Sequence, residues 1–138
     1  MNVLVFSCHP DDMEILCSGT LIKCVQRGDK VTVCHVCNGN MGHVIIPPDE
    51  LAVIRAEEAR KAGGMAGIEV ITCDIDDLLV NGSDISQRDK ITNIVKEYQP
   101  DFVITHSPTD YMPDHLAVQR LAEDGLFAAS CPQYGNKG

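Results

Sequence analysis

The sequence predicts an α/β fold, a three-layer and mostly parallel sheet with helices on both faces. Short β-branched, apolar runs alternate along the chain with longer stretches of helical spacing, as in consecutive βα units. These runs lack strict polar–apolar alternation, as expected of strands covered on both faces. Segments bearing His, Asp and Gly follow them at their carboxyl ends, where open parallel sheets bind ligands.

Taken in order, Val3–Phe6 reads as the first strand. From Asp12 to about Arg27 the apolar residues Ile15, Leu16, Leu21, Ile22 and Val25 fit one helix, stopped by Gly28-Asp29. Asp11, Asp12 and Glu14 sit at its opening, where carboxylates favour the positive end of the dipole. Lys30–Cys37 is a second strand, and Asn38–Pro48 a loop containing Gly39, Gly42 and His43. Pro47-Pro48-Asp49-Glu50 opens a helix expected to run to about Ala62, closed by Gly63-Gly64 or Gly67. Glu69–Cys73 is a third strand, followed by an acidic turn, Asp74–Asp84. Ser86-Gln87-Arg88-Asp89 resembles a capping box ahead of Ile91, Ile94, Val95 and Tyr98, and Pro100 ends that helix. Phe102–Thr105 is strand four, His106–Met112 its carboxyl-end loop, and Pro113–Ala129 the last helix.

The 138 residues are expected to form one α/β domain, with elements over 1–129 and a tail over 130–138 that carries no element signal. Four strands make a small sheet for this architecture, consistent with a C-terminal truncation or completion by a partner. A net charge of −9 with no basic patch argues against nucleic acid as a partner. No stretch approaches the ~18 apolar residues of a membrane span, and no signal peptide is visible. The expected location is therefore cytoplasmic. The seven cysteines lie mostly in apolar runs and read as small buried hydrophobes. Cys34 and Cys37 form a C-x-x-C inside a strand, where they are expected to point to opposite faces.

Two carboxyl-end loops carry the chemistry: His9-Pro10-Asp11-Asp12 after strand one, and Asp110–His115 after strand four. If strands one and four flank the switch point, His9, Asp12 and His115 come together. Two imidazoles and a carboxylate with an open position suit catalytic zinc, and the same set binds non-haem iron. Asp11, adjacent but pointing elsewhere, is then free to act as general base toward metal-bound water. The alternative is that each segment is only a turn and helix cap. His35 is read as a packed strand histidine, His106 as shaping its loop, and Asp74, Asp76 and Asp77 as a solvated turn. His43 is left open.

These segments resemble the metal-dependent N-acetylglucosaminyl deacetylases, the LmbE-like or PIG-L family. The resemblance is carried by His9-Pro10-Asp11-Asp12-Met13-Glu14, Gly19-Thr20-Leu21, Asn38-Gly39-Asn40-Met41-Gly42, and Arg55 with Glu58-Ala59. It continues through Pro100-Asp101, Thr105–Asp110 and Pro113-Asp114-His115. It implies a Rossmann-like fold and a Zn2+-dependent hydrolase, Fe2+ being a second candidate, that removes acetyl groups from an N-acetylated amino sugar. His9, Asp12 and His115 match the metal ligands, and Asp11 the base. Arg55 matches an arginine that tunes the base or contacts substrate, and Asp114 an aspartate that orients a second histidine. Members often associate, so a homo-oligomer is among the expectations.

The chain departs from the family at Met112, where a histidine often donates to the oxyanion or the leaving amine. Methionine can do neither, and one lost oxyanion donor costs ~2.7–4 kcal/mol. Three readings follow: His43, Tyr111 or Arg55 substitutes; the metal alone carries the oxyanion; or catalysis is weak. The rival functions are a metal-binding protein of the same fold and a zinc amidase or esterase with another acyl substrate.

Overall fold

A computed structural model describes residues 1–135, so residues 136–138 of the expected tail lie outside it. The elements run β1 (Asn2–Ser7), α1 (Asp12–Leu16), α2 (Ser18–Gln26), β2 (Lys30–Cys37) and α3 (Pro48–Ala66). Then come β3 (Glu69–Ile75), α4 (Ile85–Tyr98), β4 (Phe102–Thr105) and α5 (Pro113–Ser130). The sheet order is β3-β2-β1-β4, with every pairing parallel. The chain steps outward from β1 to β3, then returns to place β4 on the other side of β1. That reversal is the switch point, and Phe6 pairs with both Cys34 and Thr105 there. The loops after β1 and β4 consequently leave the sheet side by side.

The period-two alternation of β1 separates two cores. Leu4 and Phe6 pack with Val36, Ile91, Val95, Val118 and Leu121 under α4 and α5. Val3 and Val5 pack with Val31, Val33, Met13 and Leu21 under α1 and α2. Cys34 and Cys37 fall in the same core cluster, not on opposite faces, because the β2–β3 register shifts between His35 and Cys37. Their nearest thiols differ: Cys34 Sγ is 3.6 Å from Cys73 Sγ, and Cys37 Sγ is 3.7 Å from Cys8 Sγ.

Beyond shifts of one or two residues at the ends of β1, β3 and α5, three boundaries differ from the sequence reading. The first helix is two helices, broken at Cys17, whose backbone (φ −145°, ψ 16°) leaves the α region. The break lets Met13 and Leu21 reach one core, and it leaves Ile15 and Leu16 exposed where helical spacing predicts burial. The helix α3 runs past Ala62, through Gly63 and Gly64 to Ala66, and is closed by the second of the two expected stops, the left-handed Gly67 (φ 70°). The cap of α4 is Asp84, whose carboxylate accepts from the Gln87 amide at 3.0 Å, while Ser86 Oγ donates to the same carboxylate. No helix among the described residues is long and apolar enough to cross a membrane.

Candidate metal centre and cleft

The loop after β1 turns sharply, with the Asp11 and Asp12 amides both donating to the His9 carbonyl. Asp12 thereby folds back, and its Oδ2 accepts from the His9 amide at 2.7 Å. The same oxygen lies 3.5 Å from His9 Nδ1 and 3.2 Å from His115 Nε2. His115 arrives from the first turn of α5, held by Asp110 Oδ2 at 3.0 Å from its Nδ1. With its Nδ1 proton directed at Asp110, the ring presents an Nε2 lone pair toward Asp12. That Nε2 is buried and makes no hydrogen bond. A buried polar atom without a partner costs free energy, and a cation between His9, Asp12 and His115 would satisfy this one. The three residues, with Cys8, offer ligand atoms all within 4.8 Å of one another. The residues present therefore fit the metal that the resemblance implies.

The electrostatics favour positive charge here. Burial alone would lower the His9 pKa, but Asp12, Asp114 and the nearby Asp77 raise it to about 9. Burial would raise Asp12, yet its hydrogen bonds with the His9 ring and backbone amide, with His115 close by, hold it below the usual carboxylate range. Both effects follow from opposite charges within a few ångströms.

Asp11 points the other way. Its carboxylate is about half exposed and lies 3.0 Å from the Arg55 guanidinium, which also reaches Glu58 and the Pro10 carbonyl. Arg55 can approach because Gly39 (φ 78°) carries no Cβ: one would sit 3.0 Å from Pro10 and 3.3 Å from Arg55. Asp11, Arg55, His43 and Met112 line a cleft of about 730 Å³ whose floor includes His9 and Asp114.

Other residues take specific places. His106 shapes its loop: its Nε2 accepts from the Cys8 amide at 2.8 Å, and its ring stacks on His115 at 4.1 Å. Burial, with His115 adding to it, pushes the His106 pKa down to about 4, consistent with an acceptor nitrogen. His35 is packed and buried, as expected. His43 Nδ1 accepts from the Ile45 and Ile46 amides, which leaves its Nε2 free of that turn. Tyr111 is mostly exposed.

Two expectations need correction. Asp77 is no solvated turn residue: it is buried, accepts from the Gly39 and Met41 amides at 2.9 and 3.0 Å, and stands 3.9 Å from His9 Nε2. It staples the β3 loop to the β2 loop beside the site. Nothing in the run Asp74-Ile75-Asp76-Asp77 distinguishes it, since its burial depends on a loop far away in sequence. Asp114 does orient a histidine in this chain, but that histidine is His9. Its Oδ2 lies 3.1 Å from His9 Nε2 and accepts from the Leu78 amide. His115 is held instead by Asp110, which the sequence reading placed in the cluster without a role.

Fold and site together define a parallel α/β protein with a candidate His–Asp–His metal centre at its switch point. The chain belongs to the PIG-L family, described as GlcNAc-PI de-N-acetylase, which it matches over residues 4–125. A 1D-myo-inositol 2-acetamido-2-deoxy-alpha-D-glucopyranoside deacetylase from Geodermatophilus obscurus is 26% identical, over 96% of this chain and 55% of the relative. The fold is similar to N,N'-diacetylchitobiose deacetylase from Pyrococcus horikoshii, with TM-score 0.92 and 27% identity over 98% of this chain and 52% of that one. It is also similar to GalB, a 4-carboxy-2-hydroxymuconate hydratase from Pseudomonas putida, with TM-score 0.89 and 25% identity over 96% and 58%. The chain thus spans a little over half the length of these relatives.

Proposed function

We propose that this protein is a metal-dependent N-deacetylase that releases acetate from an N-acetylated amino sugar, with Zn2+ as the metal and Fe2+ the alternative. The observation that carries the reading is the buried, unpartnered Nε2 of His115 facing Asp12 and His9 beside an open cleft. The deacetylases among its relatives point to the same reaction class.

His9, Asp12 and His115 would hold the ion, which when bound polarises a carbonyl oxygen and acidifies a water. Asp11 takes the proton of the attacking water and returns it to the departing amine. Arg55 holds the Asp11 carboxylate over the cleft. Asp110 fixes the tautomer of His115, and Asp114 fixes the ring of His9. Met112, on the cleft wall, moves no proton, and His43, which lines the same cleft, would supply one.

The likeness to a hydratase favours a second reading, in which the same set adds water to an unsaturated acid. Purified protein should release acetate from N-acetylglucosaminyl compounds, lose that activity with chelator and regain it with Zn2+ or Fe2+. Turnover of an enol acid without acetate release would establish the second reading, and bound metal with no turnover of either would leave a binding protein.

A further inference from the structure

Beneath the cleft floor lie two thiols, Cys8 and Cys37, that the deacetylase reading does not use. Cys8 and Cys37 have no exposed surface, and Cys8 Sγ is 3.7 Å from Cys37 Sγ and 3.6 Å from His9 Nε2. The same His9 Nε2 is 3.1 Å from Asp114 Oδ2. One donor atom from each of Cys8, His9, Cys37 and Asp114 lies within 4.8 Å of all the others.

These separations are close to the edges of a metal-centred tetrahedron. Bonds of ~2.3 Å to sulfur and ~2.0–2.1 Å to nitrogen or oxygen give edges of roughly 3.8 Å for S···S, 3.6 Å for S···N and 3.4 Å for N···O. The second thiol pair, Cys34 and Cys73, is 3.6 Å apart but belongs to no such donor group among the described residues. Sulfur–sulfur proximity alone is therefore not the distinguishing feature. What sets Cys8 and Cys37 apart is an imidazole and a carboxylate completing the set.

We propose that Cys8, Cys37, His9 and Asp114 form a second cation site, selective for a thiophilic divalent ion such as Cd2+ or Zn2+, that competes with the His9–Asp12–His115 set for His9. The two sets use opposite nitrogens of one ring: Nδ1 faces Asp12 at 3.5 Å, whereas Nε2 faces Cys8 and Asp114. In the first set the ring proton is on Nε2, directed at Asp114. In the second it moves to Nδ1, directed at Asp12. Filling the second site forms two metal–sulfur bonds and releases two thiol protons to solvent, with no change of oxidation state. Four protein ligands close the coordination sphere, as in structural rather than catalytic zinc sites. Soft ligands select the ion, since thiolates prefer thiophilic metals to hard ones. The ion enters from the cleft, which His9 and Asp114 both line.

The test is a Cd2+ titration of the metal-free, reduced protein, followed by the sulfur-to-cadmium charge-transfer absorbance. The expected result is a band that saturates at one Cd2+ per chain, is lost in Cys8→Ala and in Cys37→Ala, and persists in His115→Ala and Cys34→Ala. The 113Cd chemical shift of the unmodified protein counts sulfur ligands without any substitution, and two are expected. Absence of the band, or a one-sulfur shift, would overturn the proposal. So would a band that survives Cys37→Ala but not His115→Ala, which would make Cys8 a ligand of the first set.

Discussion

Asp11 and Asp12 are adjacent, and the turn that bonds both of their amides to the His9 carbonyl sends their carboxylates to different tasks. Asp12 faces the imidazoles, and Asp11 faces Arg55 and the cleft. Removing the charge of Asp11 should therefore separate catalysis from metal binding. Asp11→Asn is expected to lower acetate release by about 10²–10⁴-fold, the usual weight of a general base, with metal content unchanged. His115→Ala is expected to lose both, because its Nε2 is the donor with no other partner. Elemental analysis alongside the rate assay distinguishes the two outcomes, and normal turnover in Asp11→Asn would remove it as the base. Met112 offers the opposite experiment. Met112→His restores a proton donor on the cleft wall and is expected to raise kcat by up to about 10²-fold, within the range of one oxyanion donor. An unchanged kcat would show that His43 or another group already fills the role.

The helix α3 shows how neighbours distant along the chain give two adjacent glycines of one helix different roles. Gly63 and Gly64 both sit inside the helix, yet their surroundings differ. A Cβ on Gly63 would lie 2.4 Å from Val70 Cγ2 and 2.8 Å from the Ile68 carbonyl, whereas one on Gly64 meets nothing within 4 Å. Gly63→Ala is expected to destabilise, because overpacking of about 1–3 kcal/mol against backbone outweighs the helical gain of about 1 kcal/mol. Gly64→Ala carries only the gain and is expected to stabilise by up to about 1 kcal/mol. Urea midpoints of the two variants should move in opposite directions, and movement in the same direction would contradict the packing. The break at Cys17 has a similar origin: helical spacing alone favours one helix, and the core under β1 takes Met13 and Leu21 from two.

At the scale of the whole molecule, His35 couples stability to pH. It lies mid-strand in β2, is buried, and neither ring nitrogen has a partner. Burial pushes its pKa from the usual 6.5 down to about 4. Because the folded value lies below the unfolded one, the unfolded chain binds the proton first as pH falls. Stability from the neutral ring is fully present above about pH 6.5 and declines toward pH 4. Between pH 7 and pH 4.5 this amounts to about 2–3 kcal/mol. His35→Leu is expected to lose less stability than the parent protein over that interval, read as the change in urea midpoint. Equal losses would mean that other groups, the carboxylates and buried His106 among them, account for the acid sensitivity.

Much of this molecule is legible along the chain. Continuous apolar runs, proline and acids at helix starts, and two His–Asp clusters at strand ends define the α/β class and single out His9, Asp11, Asp12 and His115, while Asp114 and Arg55 come from the resemblance to the PIG-L family. These are local signals, written in spacing and residue type. The tertiary structure decided what depends on distant partners. Sheet order placed β4 beside β1, so that His115 meets Asp12 across a sequence separation that no local pattern encodes. The contact of Asp114 with His9 follows from that placement, while the burial of Asp77 and the meeting of Cys8 with Cys37 follow from β2 lying between β1 and β3. A residue's type limits the bonds it can make, and only the packing of loops from different strands determines which of those bonds it makes.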